Sequence, residues 1–202
     1  MIYTPKYLER PVPTEPFDTS NGIKQIIRVA IEGDEYAFCD KNSKQMWANK
    51  KTGNWGKGMM NNPNDPRKVE RSGLLGEMAF AKFIGNPVKF EYREFGDGGT
   101  DAIFFGKRFD IKTSLRNYGA LLIKVFSDNG MPVLKNKNTE VFVAAILEED
   151  DPKQQKAVVL LIGYQEKAFV DKLEVVPARK GKHYNREVPY SQLIGFHEKP
   201  LV

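Results

Sequence analysis

Cysteine and histidine are nearly missing from this chain of 202 residues, which contains one cysteine, Cys39, and two histidines, His183 and His197. A single cysteine excludes an intramolecular disulfide and a zinc site built on several thiolates. Two histidines are too few for a multi-histidine metal cage, and we expect both on the surface. Any metal site should therefore use oxygen ligands, which favours magnesium, manganese or calcium.

Long hydrophobic runs are also missing. The sequence has no apolar run approaching the roughly 18 residues of a membrane span and no apolar secretory segment near its first residue. We therefore expect an intracellular, cytoplasmic protein with no membrane partner. The 31 lysines and arginines outnumber the 26 acidic residues and give a formal net charge of +5, which is a mild lean toward polyanionic partners.

The most informative stretch runs from Gly98 to Ser114 and predicts a tight β-hairpin. Its two strands, Asp101 to Phe105 and Arg108 to Lys112, are rich in isoleucine and aromatic residues. Gly106-Lys107 would form a two-residue turn, which places Phe105 opposite Arg108.

Strand alternation divides the predicted hairpin into a chemical face and a core face. In the predicted register Asp101 lies opposite Lys112, and Ile103 lies opposite Asp110. The core face carries the remaining apolar side chains, Ala102, Phe104, Phe109 and Ile111. Directly opposed Cβ atoms are about 5 Å apart, so the two carboxylates could share one divalent metal ion.

A second stretch, Leu74 to Ile84, predicts a helix with Ser72 as its N-cap and Gly85 as its stop. Apolar side chains surround nearly the whole helix, so we expect it to be largely buried. Glu77 stands out because its neighbours one turn away are not cations. A buried carboxylate needs a partner, which a metal ion or the hairpin lysine would supply. The alternative is a surface salt bridge to one of two cations, Arg71 or Lys82.

The N-terminal part predicts an extension before the core. Residues 1–22 contain four prolines and are expected to form an extended arm. From Ile23 to Glu32 the apolar spacing favours an amphipathic helix; a competing interpretation pairs Ile26 to Ile31 with Glu35 to Cys39 as a hairpin. Lys41 to Lys51 fits either a second helix or a loop.

The segment Asn49 to Arg71 is rich in Asn, Gly and Pro and more basic than acidic. Such a loop could bind a phosphate backbone, with a tryptophan available for stacking; a solvated basic loop is the alternative. The candidate nucleic-acid contacts are Lys50, Lys51, Trp55, Lys57, Arg67, Lys68 and Arg71, together with Thr113, Ser114 and Arg116 just beyond the hairpin.

Two continuous apolar runs, Val141 to Leu147 and Ala157 to Gly163, predict strands that are buried on both faces of a sheet. Val88 to Phe95 and Leu121 to Phe126 predict two further strands. Tyr164 to Glu174 predicts a short amphipathic helix.

The order of these elements, with Glu77 on a helix, Asp101 opening one hairpin strand and Asp110-Ile111-Lys112 on the next, resembles the PD-(D/E)XK nuclease superfamily. Thr100 stands where the family name has a proline, which many members also lack. The resemblance implies an α/β (α+β) protein with a central mixed β-sheet flanked by helices. Residues 1–202 would form a single domain, with an arm, helix and basic loop in 1–70 and a restriction-endonuclease-like core in 71–202.

The same resemblance implies a Mg²⁺-dependent deoxyribonuclease, with Mn²⁺ as a possible substitute. Asp101 and Asp110 would bind the metal with the main-chain carbonyl of Ile111, and Glu77 would join them directly or through water. Lys112 would orient or activate the attacking water or stabilise charge on the phosphate. DNA is then the expected partner, and the oligomeric state stays open, a homodimer included.

Other functions stay open. A catalytically inactive nucleic-acid-binding module would keep the same fold, and a ribonuclease would use the same site. An interaction protein could pair its acidic face with another protein. For the hairpin itself, the alternative to catalysis is an exposed strand face on which Asp101 and Lys112 pair across the strands.

Overall fold

The computed structural model of the chain describes residues 2–6, 14–19, 22–52, 65, 67–89, 100–126, 132, 138–178 and 183–198. Its helices are α1 (Asp34–Thr52), α2 (Lys68–Ile84) and α3 (Lys167–Val170), and a 3-10 turn spans Tyr190–Gln192. Its strands are β1 (Ile2–Tyr3), β2 (Thr14–Thr19), β3 (Gly22–Glu32), β4 (Val88–Lys89), β5 (Ala102–Phe104), β6 (Lys107–Ser114), β7 (Ala120–Phe126), β8 (Val141–Asp151), β9 (Lys156–Glu166), β10 (Val176–Pro177) and β11 (Tyr184–Pro189).

A six-stranded sheet with the order β2-β3-β9-β8-β6-β5 forms the centre of the protein. Strands β6 and β8 run parallel, whereas the other neighbours in this sheet are antiparallel. The predicted class, a mixed central sheet flanked by helices, is therefore confirmed. The sheet includes β3, so it draws strands from both the 1–70 and the 71–202 parts of the predicted division.

Each face of the central sheet is covered by a different kind of layer. Helices α1 and α2 pack on one face, where alternate residues such as Val29, Val143 and Val159 are completely buried. The other face meets a three-stranded sheet with the order β10-β11-β7. Strands β8 and β9 thus bury both of their faces, as their continuous apolar sequences predict.

Residues 23–32 form strand β3, so the predicted helix at Ile23 to Glu32 is wrong. Ile27, Val29 and Ile31 alternate toward the helices, and Ile26 lies in the core on the other face. The competing hairpin has the wrong partner, because Glu35 to Cys39 belongs to α1 while β3 pairs with β2 and β9. Pairing with two strands gives hydrogen-bond partners to the N–H and C=O groups of β3. These hydrogen bonds decide the structure, because the apolar spacing alone fits a helix or a strand.

Helix α2 ends as predicted and begins earlier than predicted. Gly85 adopts the left-handed conformation, with a φ of 74°, and its N–H donates to the carbonyl of Ala81. The helix begins at Lys68, so Ser72 lies inside it, where its hydroxyl donates to the carbonyl of Val69 at 2.7 Å. Most of its residues are buried, as predicted.

Of the other predicted elements, Lys41 to Lys51 lies in helix α1, and β7 covers the strand predicted at Leu121 to Phe126. Strand β4 covers the start of Val88 to Phe95, and residues 90–95 lie outside the described part of the chain. No helix in the described ranges is long and apolar enough to cross a membrane.

Helix α2 approaches strand β6 most closely at Gly76. An ideal Cβ at this position would lie 1.8 Å from Oγ1 and 3.1 Å from Cβ of Thr113, and 3.4 Å from Cγ2 of Ile111. Real Cβ atoms do not come so close to neighbouring atoms, so the contact requires glycine here despite its poor helix propensity.

Buried charges join this helix to the far end of the sheet. The side chain of Arg71 is 1% exposed, and its Nη2 lies 2.6 Å from Oδ2 of Asp150 at the end of β8. The same guanidinium bonds Asp65, and the hydroxyl of Tyr36 on α1 donates to Asp150 at 2.7 Å. Burial and the bond to Asp150 both raise the pKa of Tyr36, so the phenol stays protonated as a donor. One carboxylate thus connects α1, α2 and β8.

We expect Gly76→Ala to lower the free energy of unfolding by about 1–3 kcal/mol, because the new methyl group overlaps the Thr113 side chain. Urea denaturation monitored by circular dichroism measures the change. The matched control is Gly73→Ala in the same helix, whose Cβ would meet no atom within 4 Å and which should gain up to about 1 kcal/mol. Equal effects of the two substitutions would contradict the close contact.

We expect Asp65→Asn to lower the free energy of unfolding at neutral pH. The difference from the wild type should become smaller in acid. Burial raises the pKa of Asp65, but the hydrogen bond and charge of Arg71 outweigh burial and lower it below its ordinary 3.8. Ionised Asp65 therefore stabilises the fold above that value, and the contribution is lost as the pH falls through the folded-state pKa. Urea unfolding from pH 7 to about pH 3 measures this.

The control for this pH dependence is Asp171→Asn, which removes an exposed carboxylate that is paired with Lys167 and Arg186. Exposed pairs contribute little to stability, so this variant should follow the wild type across the pH range. A constant deficit for Asp65→Asn at every pH would contradict the assigned charge interaction.

Candidate functional site

The β5–β6 hairpin exists, but its turn lies one residue earlier than predicted. Ile103 pairs with Arg108 and Phe104 with Lys107, so the two-residue loop is Phe105-Gly106 rather than Gly106-Lys107. Relative to β5, the whole of β6 is shifted by two residues from the predicted register. Because a shift of two keeps paired side chains on their faces, the predicted division into two faces holds for the paired residues 102–104 and 107–109.

The new register changes which side chain lies across from Asp101. Its N–H donates to the carbonyl of Phe109 at 2.8 Å, just before β5 begins. Phe109 is already paired with Ala102, so the regular pairing ends at these two residues. Asp101 bonds the same Phe109, and its predicted pairing opposite Lys112 is therefore wrong.

Asp101 uses its carboxylate to continue the hydrogen bonding of strand β6. Its Oδ2 accepts the N–H of Ile111 at 2.6 Å. The side chain thereby supplies an acceptor for β6 next to the end of the three-residue strand β5. This contact fixes the carboxylate beside the main chain of Asp110-Ile111-Lys112.

Asp110 lies on the face of the central sheet away from α2. Phe109 and Ile111 are buried against the helices, so the side chain between them points to the opposite face. Its neighbour in the parallel register is Phe142, which belongs to the core beneath the three-stranded sheet. The residue is 2% exposed, so the predicted exposed strand face does not apply to it.

Lys112 and Asp110 form an ion pair on that face. Nζ of Lys112 lies 2.6 Å from Oδ1 of Asp110, and the lysine side chain is 35% exposed while the aspartate is buried. Oδ2 of Asp110 is buried and has no hydrogen-bond partner among the described residues. Burying an unsatisfied carboxylate oxygen is costly, so this oxygen is suited to accept a ligand.

Glu77 lies on the helix side and shares a cavity with Asp101. The cavity has a volume of about 230 Å³ and opens beside the edge strand β5. Its remaining lining is mostly apolar and comes from Ala81, Ile84, Asn86, Pro87, Val88, Ala102 and Ile103. The four predicted catalytic residues therefore form two pairs, Glu77 with Asp101 and Asp110 with Lys112, linked through the main chain of β6.

The two cations named as alternative partners of Glu77 bond other carboxylates. Nζ of Lys82 lies 2.6 Å from Oε2 of Glu35, and both side chains are nearly buried. Arg71 bonds Asp65 and Asp150. These bonds attach both cations to structural networks.

Within the ranges that the structure describes, no three His, Cys, Asp or Glu residues are grouped so that they could hold a metal ion. Magnesium does not require such a group, because it usually keeps several waters and is bound by one or two carboxylates together with substrate phosphate. The predicted ligands Asp101, Asp110, Glu77 and the carbonyl of Ile111 therefore stay a prediction. Cys39 is a buried thiol whose pKa is raised by burial, so it is not a reactive thiolate.

The structure describes some of the predicted phosphate contacts before α2 and not others. Trp55 and Lys57 lie outside the described residues, and Lys50 and Lys51 lie in the last turn of α1. Arg67 bonds Asp40 at 3.2 Å, and Lys68 is half-buried at the start of α2. Arg71 is buried by its carboxylate partners, so its role is structural and the predicted phosphate contact is corrected.

The three predicted phosphate contacts at the end of β6 and just beyond it, Thr113, Ser114 and Arg116, lie in different surroundings. Thr113 is directed at Gly76 under α2, so its predicted contact with phosphate is corrected to a packing contact. The hydroxyl of Ser114 donates to the carbonyl of Arg116 at 2.6 Å, and the Arg116 side chain is exposed. Arg116 stays available for a phosphate contact.

Arg108 was missed as a candidate, although it is exposed and belongs to the strand face that carries Asp110 and Lys112. The signal was present in the sequence, because residues 108, 110 and 112 follow the period of two along one strand. The predicted strand Arg108 to Lys112 began with Arg108 directly after the turn, whereas the observed strand β6 begins one residue earlier, at Lys107.

Comparisons of the chain with known protein families, curated proteins and solved structures give no match.

We expect Asp101→Ala to lower the free energy of unfolding by about 1–3 kcal/mol, because it leaves the N–H of Ile111 without its acceptor. Asp101→Asn keeps an acceptor oxygen at the same position and should retain most of the stability. Urea denaturation distinguishes the two variants. Equal stability losses for Ala and Asn would show that the charge of Asp101, rather than this hydrogen bond, supports the hairpin.

Proposed function

We propose that the protein is a metal-dependent nuclease that hydrolyses phosphodiester bonds of DNA at the β5–β6 hairpin. The observation that carries the proposal is the buried carboxylate of Asp110, which has one oxygen on the ammonium of Lys112 and the other without a partner among the described residues. A carboxylate and an ammonium held together on a central strand match the charges that phosphodiester hydrolysis requires.

The residues present fit a hard divalent cation. Every proposed ligand is an oxygen, and the unsatisfied Oδ2 of Asp110 is the kind of atom that a cation would complete. Asp110 and Asp101 would hold the ion with the carbonyl of Ile111. Glu77 lies on the helix side of β6, whereas Asp110 faces away from the helix, so Glu77 would not bind the same ion directly. When bound, Mg²⁺ or Mn²⁺ lowers the pKa of a water molecule and neutralises charge on the phosphate.

Lys112 supports the reaction through its position and charge. Its ammonium bonds Asp110 and is partly open to solvent, with 35% of the side chain exposed. A phosphate that approaches Asp110 from solvent would therefore meet this cation, which stabilises the negative charge that develops on the phosphate oxygens. The same position allows Lys112 to orient the attacking water.

Asp101 and the close packing of α2 hold the site in place. The carboxylate of Asp101 fixes the main chain of Ile111 between the two reactive side chains. Gly76 lets the helix approach β6, which brings Glu77 to the cavity beside Asp101. Such positioning is what catalysis by electrostatic stabilisation demands, since reacting groups must be aligned in advance.

A second candidate is a catalytically inactive nucleic-acid-binding module. Two contacts favour it: Oδ2 of Asp101 is taken by a main-chain N–H, and Oδ1 of Asp110 is taken by Lys112. In this case the acidic residues stabilise the hairpin and the positive net charge of +5 drives binding. A ribonuclease would use the proposed site on RNA and is distinguished by substrate.

We expect the protein to degrade plasmid or linear single-stranded DNA in Mg²⁺ or Mn²⁺, and Asp110→Asn to lower the rate by at least about 100-fold. The substitution keeps the shape of the side chain while removing the charge that the metal and Lys112 require. Gel assays of time courses measure the rate, and parallel RNA substrates identify a ribonuclease.

The control is Asp18→Asn, an exposed aspartate on β2 at the opposite edge of the central sheet, which should leave the rate unchanged. Equal degradation by wild type and Asp110→Asn, or no degradation by either, would overturn the proposal. Salt-dependent binding without cleavage, unchanged in Lys112→Ala, would instead support the binding module.

A further inference from the structure

The tip of the β5–β6 hairpin carries a phenylalanine that the turn does not favour. Phe105 and Gly106 form the two-residue loop and both have positive φ, 47° and 76°. This is the signature of a type I′ turn, whose first central position favours Asn, Asp or Gly. A bulky L-residue in the left-handed region is unfavourable by about 1–2 kcal/mol. Turn geometry therefore does not explain Phe105.

Packing does not explain it either, because Phe105 is 66% exposed. The ring nevertheless contacts a second aromatic ring. Its centroid lies 4.4 Å from that of Phe104, with the two planes at 72°, and Phe104 packs against the helix-side core. Phe104 thus supports an aromatic ring that stands in solvent at the end of the hairpin.

Cationic side chains accompany this ring. Lys107 and Arg108 follow the turn directly, and Arg108 is exposed. Arg108 lies on the face of β6 that carries Asp110 and Lys112, about 7 Å along the strand from Asp110. An exposed aromatic ring beside basic side chains is the combination by which proteins bind single-stranded nucleic acid.

We propose that Phe105 stacks on an unpaired base of single-stranded nucleic acid while Arg108 contacts its phosphate backbone. The inference rests on the proposed function and deepens it, because it assigns a substrate class, strands with accessible bases, to the same hairpin. In a duplex each base is covered on both faces except at the ends, so the ring finds no free surface there. Stacking at the tip would lead the backbone along β6 toward Asp110 and Lys112.

The apolar area that the hairpin itself exposes is small beside a protein interface. Besides Phe105, the hairpin exposes only Ile103 among the large apolar side chains of residues 101–116, whereas specific protein interfaces bury about 800 Å² on each partner. The basic neighbours of the ring also favour a polyanion. A strand of nucleic acid needs only one aromatic contact for each stacked base.

Fluorescence anisotropy with a labelled mixed-sequence single-stranded oligonucleotide, and with the same sequence as a duplex, tests the proposal. Binding is measured in EDTA so that cleavage does not interfere. Phe105→Asn creates the favoured Asn-Gly turn and so should retain the fold, while removing the ring. We expect its affinity for the single strand to fall about 5- to 150-fold, the range for loss of one base–aromatic stack, with little change for the duplex.

Two further variants make the result specific. Phe105→Trp keeps an aromatic ring and should retain most of the affinity for the single strand. Ile103→Ser removes the other exposed apolar side chain of the hairpin, which is 61% exposed, and should bind as the wild type does. Urea denaturation of each variant checks that the fold is intact.

The proposal is overturned if Phe105→Asn binds the single strand as tightly as the wild type does, or if Ile103→Ser loses as much affinity. An equal loss for single strand and duplex would overturn it as well. Binding that depends on Phe105 without DNA cleavage would support this inference while the nuclease proposal fails. Cleavage that depends on Asp110, with binding unaffected by Phe105→Asn, would support the nuclease alone.

Discussion

The close approach of helix α2 to strand β6 is the constraint on which the candidate site depends. Only a residue without a side chain fits at position 76, because Thr113 occupies the space that a Cβ would fill. This contact fixes the distance between the helix and the hairpin strand. It also determines where Glu77, the next residue, lies relative to Asp101 across the shared cavity. A small shift of the helix would separate these two carboxylates.

The buried Arg71 fixes the same helix at its other end. Its guanidinium joins Asp150 of β8 and Asp65, and Tyr36 attaches α1 to the same aspartate. Replacing one member of such a network leaves a buried charge uncompensated, which costs about 3–5 kcal/mol. The helix layer is thus held by a glycine contact near β6 and by a charged contact at β8, and its position on the sheet is strongly determined.

The sequence predicted those features that local residues determine. Gly85 ends α2 because a left-handed residue is required there, and the apolar runs of β8 and β9 can only be buried. Strand β3 was missed because its apolar spacing fits a helix as well as a strand. Its conformation is determined by pairing with β9, which lies more than 120 residues away in the sequence.

Features of the site that depend on distant partners were also beyond local prediction. The burial of Arg71 depends on Asp150, 79 residues further along the chain. The hairpin register was misplaced because a phenylalanine is disfavoured in a left-handed turn, so the pattern favoured glycine as the first turn residue. Asp110 and Lys112 were nevertheless assigned to one face correctly, because residues two apart on one strand share a face whatever the register to its neighbour.

Two buried carboxylates that form ion pairs, Glu35 and Asp110, differ in a way that bears on function. Glu35 uses both oxygens, one for Lys82 and one for the N–H of Lys6, as a purely structural carboxylate should. Asp110 is equally buried, yet among the residues described only one of its oxygens is bonded. The unsatisfied oxygen of Asp110 therefore argues for a ligand at this strand, because a bound cation would offset the cost of burying it.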